Sequence, residues 1–226
     1  MKSAVVEVRQ EQDPTISMNL EEAIRTRRST HYFMPGPAIS KAQWKKLFEL
    51  TELSPSSFNF QPWDFIVVDD LERKKQLHPL CWGQKQVLDS AAMVAVLGDK
   101  NPHRRDKLVL QQFHDNGYID EPTKVAYLQA VDVVYPDEGR RIEHAVGGAC
   151  LAAMTFMLAA HGMGLATLPM IGFDPEGVRR FLGVPDDYIV TMMMAVGHSA
   201  NQELPRQQRR GMDDIVHWDR FGRKRA

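Results

Sequence analysis

The stretch LSPSSFNFQPWDFIVVDD, Leu53 to Asp70, sets two serines, an asparagine and a glutamine between Pro55 and Pro62, directly before a strongly apolar run. Asp64 to Val68 is aromatic and β-branched and reads as a strand, stopped by the acidic pair Asp69 and Asp70. Pro55 and Pro62 fix their own φ and keep the residue before each out of helical geometry. The segment between them is therefore a loop, crowded with hydrogen-bonding side chains, that leads into a sheet. Such a loop either satisfies its own backbone as a turn or presents those side chains to a ligand from a rigid scaffold.

Working outward, helices flank this strand. Asn19 or Ser17 caps a first helix, LEEAIRTRRS, and Ser40 with Gln43 makes a capping box for a second, KAQWKKLFELTEL. After the strand, Asp69 or Asp70 caps a short helix ending near His78 and Pro79, and Ala91 to Gly98 is an apolar run of strand length. Residues 101–134 are polar and helical in pattern, with a break at DNGYIDEPT. A helix of about 25 residues starts near Asp137 and ends at Gly162 and Gly164, some 40 Å long. Asp174 and Pro175 open a further helix that Gly183 closes, and YIVTMMMAVG is a buried strand. The pattern is α+β: a few strands and many helices in one domain, 19–226, after an N-terminal extension, 1–18.

A chain of 226 residues with net charge −1 has no global field to gather nucleic acid or an anionic membrane. The two cysteines, Cys81 and Cys150, match no metal spacing and point to a reduced, cytoplasmic protein. The first nineteen residues lack the apolar region of a signal peptide. Ala145 to Phe173 holds no Asp, Glu, Lys or Arg and is long enough to span a bilayer. Its glycines, Pro169, and alanine- and methionine-rich make-up argue instead for a fully buried helix.

Three clusters offer charge-assisted donors to a phosphate: RTRRSTH around Arg27, Arg28, Ser29 and His31, RQQRR at 206–210, and the terminal RKR. GMGLAT at 162–167 comes after a helix rather than a strand, so it is a helix terminus and not a dinucleotide fingerprint. GHSAN at 197–201 lacks the second glycine of a nucleophile elbow. Histidines 103, 114, 144 and 161 show no metal-ligand spacing. With neither nucleophile nor metal in view, reaction chemistry has to come from an organic cofactor.

Four segments in this order, RRSTHYF (27–33), SPSSFNFQPWDFIVV (54–68), LATLPMIGFD (165–174) and RQQRRGMDDIVHW (206–218), resemble the FMN-dependent nitroreductase family. The resemblance covers about residues 19–220. It implies an α+β fold with a central, mostly antiparallel sheet flanked by helices. It implies a homodimer whose long helices pack together, with the C-terminal tail, about 204–226, embracing the partner, and two FMN molecules touched by both chains.

Carried over by position, Arg27, Arg28, Ser29 and His31 match the motif that holds the phosphate and ribityl chain. His31 stands where lysine or arginine is commoner, which implies that phosphate affinity weakens as pH rises and the imidazole loses its charge. Pro55, Ser56, Ser57 and Asn59 match the loop that the partner subunit lends to the flavin. Pro169, Met170, Ile171 and Gly172 match the segment along the isoalloxazine, where a backbone N–H approaches N5. Ile171 replaces a glutamate found in many relatives. Arg209 matches a phosphate-binding arginine, Gln207 stands where a basic residue is frequent, and Arg206 or Arg210 compensates. Gln86 takes a polar position near the flavin.

The implied activity is transfer of hydride from NADH or NADPH through FMN to a small acceptor such as a nitroaromatic or quinone, with no side chain needed as acid or base. Phe113, Tyr118 and Tyr127 are candidate stacking residues in a variable lid at 101–134. The alternatives are a specialised enzyme on the same scaffold (a reductive dehalogenase or a flavin-cleaving enzyme) and a non-catalytic flavin-binding module. A nucleic-acid-binding protein is disfavoured, because the basic clusters lack interleaved aromatics.

Overall fold

In a computed structural model, residues 15–200 and 204–224 are described. The elements run α1 (Leu20–Thr26), β1 (Phe33–Met34), α2 (Lys41–Thr51), β2 (Trp63–Val68), α3 (Leu71–Leu80), α4 (Gln86–Asp89), β3 (Ala92–Asp99), α5 (Asp106–Asp115), α6 (Glu121–Val134), α7 (Glu138–Gly162), β4 (Ala166–Met170), α8 (Pro175–Leu182), β5 (Tyr188–Ser199) and α9 (Met212–Ile215). Local chemistry sets most of these starts. Asn19, Ser40, Asp70, Asp120, Asp137 and Asp174 each accept, through the side chain, the N–H three residues on. The expected capping box of Ser40 and Gln43 is present, and Gly183 ends α8 in left-handed backbone (φ 68°).

The strands form one antiparallel sheet in the order β1-β5-β3-β2, with β4 also paired along β5. Because successive side chains point to opposite faces, β3 feeds two cores. Met93, Ala95 and Leu97 pack with Leu77, Val178, Leu168 and Met193 beneath α3 and α8. Val94 and Val96 pack with Leu47, Ala149, Ala153, Phe156 and Met194 beneath α2 and α7. Burial on both faces is why this strand reads as an unbroken apolar run. A third cluster, Phe60, Val109, Leu110, Val131 and Tyr135, joins the α5–α6 hairpin to the polar loop before β2.

Two expectations change. The first helix stops at Thr26 rather than Ser29, because Arg27 turns into extended backbone (φ −52°, ψ 132°). Residues 27–31 thereby leave the helix and run beside β4, joined by a Ser29–Thr167 bridge and by the Thr30 N–H donating to Thr167 O at 3.0 Å. The second change concerns α7, expected to be fully buried. One face packs on α2 and the sheet, but Gly147, Cys150, Leu151 and Met154 form an exposed apolar stripe on the other. Nothing among the described residues covers it.

Gly148 marks the closest approach of α7 to the loop. A Cβ there would lie 2.5 Å from Cγ of the rigid Pro62 ring. Gly148→Val is expected to cost about 1–3 kcal/mol of overpacking strain, read as a lower urea midpoint. An unchanged midpoint would show that helix and loop part freely.

Candidate functional site

The C-terminal end of α1 leaves carbonyls with no intrahelical partner, and arginines take them. Arg28 Nη1 donates to the carbonyls of Arg25, Thr26 and Arg27 at 2.9, 3.0 and 3.2 Å. From the tail, Arg206 Nη2 donates to Arg25 O at 2.6 Å and Arg27 O at 2.9 Å. This ties the tail to the first helix of its own chain and closes a cavity of about 200 Å³ lined by Arg27, Arg28, Ser29, His31, Arg206 and Arg209, together with Leu204, Pro205 and Gln207.

None of the described residues lining that cavity is acidic. Arg27 Nη1 is buried with no hydrogen-bond partner among the described residues. Burial, then the like charges of Arg206, Arg209 and Arg28, hold the Arg27 guanidinium below its usual range. Arg206 is lowered in the same direction by desolvation and by Arg28 and Arg209. Four mutually repelling cations and an orphaned donor around a small cavity are suited to a phosphate dianion.

The two arginines considered for the missing basic position lie differently. Arg206 lines the cavity, whereas Arg210 turns away and donates to Asp214 O at 2.8 Å. Gln86 reaches the same neighbourhood, its Nε2 donating to His31 O at 3.2 Å.

Through the Ser29–Thr167 bridge the cavity adjoins β4, which the sequence reading did not identify as a strand. Pro169 is tolerated within it because β4 needs its ladder bonds mainly on the β5 side. Beyond Met170 the chain lifts off the sheet. Ile171 is 85% exposed. Its carbonyl accepts from the Phe173 N–H at 3.2 Å, and Gly172 O accepts from Gln84 Nε2 at 2.7 Å. The N–H groups of Ile171 and Gly172 meet no acceptor among the described residues. Here the protein leaves backbone donors facing outward.

The loop that opens β2 is built differently. Phe58, Asn59 and Gln61 have φ of 51°, 54° and 49°, a left-handed conformation that is costly for non-glycine residues and is concentrated at functional segments. Ser56 Oγ accepts the Gln61 N–H at 2.9 Å, so this serine does satisfy the turn. Ser57 Oγ and His144 Nδ1 are hydrogen-bonded at 3.3 Å, and the Tyr135 hydroxyl, whose pKa burial raises, also bonds Ser57. Phe58 stacks on Phe60 (5.3 Å) and meets Tyr127 edge-on. Pro55, Ser57 and Asn59 remain exposed.

Among the described residues, then, Arg27, Arg28, Ser29, His31 and Arg209 share one cavity. Gln86 touches that segment, and Pro169 to Gly172 adjoin it through β4. Pro55, Ser56, Ser57 and Asn59 do not line it within the chain. No cluster of His, Cys, Asp or Glu among the described residues could hold a metal. Gln84, which binds the 172 carbonyl, was missed. Its partner lies 88 residues away, and no local pattern announces such a contact. In the α5–α6 hairpin Phe113 packs on Tyr118, and Tyr118 stands 78% exposed.

The model of the nitroreductase family matches residues 24–198. MhqN of Bacillus subtilis, provisionally named an NAD(P)H nitroreductase, is 32% identical over 198 residues, which is 86% of this chain and 96% of that protein. A crystal structure of a B. subtilis nitroreductase, ydfN, superposes with a TM-score of 0.82 at 32% identity, over 88% of this chain and 97% of that one. A nitroreductase from Exiguobacterium sibiricum, crystallised in complex with FMN, superposes with a TM-score of 0.80 at 27% identity, over 89% and 98% of the two chains. Fold, motif order and these matches together make the chain a member of the nitroreductase family.

Proposed function

We propose that the chain is one subunit of a homodimeric FMN-dependent oxidoreductase that passes reducing equivalents from NADH or NADPH to a small acceptor such as a nitroaromatic or quinone. The observation that carries this reading is the cavity of four arginines with no acidic side chain among the described lining residues, joined through β4 to backbone donors at 171–172 that have no acceptor among the described residues. When bound, FMN supplies the hydride chemistry. The chain's own groups do the rest. Arg27, Arg209 and Ser29 would hold the phosphate, His31 and Gln86 would bind the ribityl chain, and the 171–172 N–H groups would donate to the ring system. Those donors are fixed before the reaction, so they stabilise developing negative charge at little reorganisation cost.

The unfilled surfaces support the second subunit. Pro55, Ser57 and Asn59 are exposed and do not reach their own chain's cavity, which fits a loop that serves the partner's flavin. The exposed stripe of α7, the open edge of β2 and the apolar tail residues Met212, Ile215 and Phe221 need cover. Two unpaired cysteines, Cys81 buried and Cys150 exposed, fit a reducing, cytoplasmic setting.

The test is the visible spectrum of the purified protein, followed by NADH or NADPH without oxygen. About one flavin per chain that bleaches at once, and recolours with menadione, is the expected result. Flavin that stays oxidised with both donors would instead assign a specialised or storage role. A colourless protein that takes up no added FMN would overturn the reading.

A further inference from the structure

Gln84 lies in the turn between α3 and α4, and its amide joins two carbonyls from distant parts of the chain. Nε2 donates to Cys81 O at 3.1 Å and to Gly172 O at 2.7 Å. The turn is held in left-handed backbone at Trp82 (φ 54°) and Gly83 (φ 68°), a conformation that tryptophan rarely adopts. The strain has a visible consequence: it lays the indole of Trp82, 69% exposed, against Gly172 and aims Gln84 at the Gly172 carbonyl. A Cβ on residue 172 would fall 3.1 Å from Gln84 Nε2 and 3.2 Å from Trp82 Cε3 and Cζ3. A side chain there would have to push both neighbours back by a few tenths of an ångström.

Both carbonyls of the 171–172 segment are therefore bound from the protein side, that of Ile171 by the Phe173 N–H and that of Gly172 by Gln84. A carbonyl shares its rigid plane with the next residue's N–H. Gln84 on the Gly172 carbonyl therefore holds the plane of the Phe173 N–H, which closes onto Ile171 O. That bond in turn holds the plane shared by the Ile171 carbonyl and the Gly172 N–H. We propose that Gln84 is a positioning residue: by clamping the Gly172 carbonyl it directs the 171–172 backbone donors at the reacting edge of the flavin and so sets how readily the flavin accepts hydride. This rests on the functional reading above.

The test compares wild type with Gln84→Leu, which removes the donor, and Gln84→Glu, which keeps the shape but sets an acceptor against the carbonyl. Both variants are expected to retain FMN, because the arginine cavity is untouched. Anaerobic reduction by NADH should slow about tenfold, a modest misplacement of reacting groups, with the KM for NADH within about twofold. The flavin midpoint potential should move to more negative values. In flavin-free protein, hydrogen exchange at the amides of 171–173 should accelerate while the rest of β4 is unchanged.

Variants that bind FMN and match wild type in reduction rate, potential and exchange would overturn the assignment of Gln84 alone. Variants whose activity falls only in proportion to lost FMN would overturn it as well, since the role would then be structural. Wild-type protein that takes up no FMN would overturn the functional reading, and this inference with it.

Discussion

An Arg27→Ala/Arg209→Ala double variant is expected to purify as a folded protein without flavin, its Kd for FMN raised at least a hundredfold. Arg27 is half-buried, and its Nη1 has no partner among the described residues. Among the described residues Arg209 is committed by a bond from Nη1 to Gln207 O, at 2.9 Å. Each charge-assisted contact to a phosphate contributes about 1.5–3 kcal/mol, and two of them correspond to a hundredfold or more in Kd. Arg28 and Arg206 are left in place because both hold carbonyls at the end of α1. Changing them would mix loss of a helix cap with loss of the ligand. Two fewer cations also relieve repulsion in the empty cavity, so the flavin-free variant should be no less stable than flavin-free wild type. Fluorescence titration with FMN gives the Kd, and thermal melts of the two flavin-free proteins give the stability. Stoichiometric flavin in the purified double variant would end the phosphate assignment.

Truncation after Gly211 is expected to convert a stable dimer into one that dissociates at micromolar concentration. The segment removed carries Met212, Ile215 and Phe221, which are 63%, 56% and 90% exposed in the single chain. Full burial of such side chains contributes about 1.5–3 kcal/mol each, and a two-fold dimer buries two copies. Part of that is lost to ordering the tail, which still leaves a thousandfold or more in the dimer dissociation constant. The cut spares Arg206 and Arg209, so the arginine cavity stays intact. Sedimentation velocity across a dilution series separates the outcomes, and an unchanged profile would mean that the α7 stripe alone holds the subunits together.

These two variants also divide the site by origin. The arginine cavity is assembled within one chain, so the double variant should fail at any protein concentration. The loop at 55–59 is proposed to serve the partner, so flavin affinity of the truncated protein should recover as concentration drives the subunits together.

Much of this architecture is legible along the chain. Six helix starts follow from a single Asn, Ser or Asp whose side chain takes an orphan N–H, a relation spanning three residues. The strand before Asp69, the apolar run at 91–98 and the long methionine-rich strand appear in composition, because burial on one or both faces selects residue type. The candidate flavin residues around 27–31, 55–59, 86, 169–172 and 209 come from the family resemblance, since no local rule says what such side chains hold. Two strands were not legible. β1 is two residues long, too short to show any period, and β4 contains a proline that argues against a strand unless one knows that it lies beside β5.

What the sequence determined by itself is the set of local decisions: caps, turns, alternation and the residue types able to hold an anion. Those depend on neighbours within a few positions, where chemistry and spacing are written together. Only the tertiary structure decided which arginine beside Gln207 lines the cavity, that Gln84 reaches Gly172, and that α7 keeps one face bare among the described residues. Each depends on where two segments distant in the chain come to rest, and that is settled by the packing of helices on a sheet rather than by any short pattern of residues.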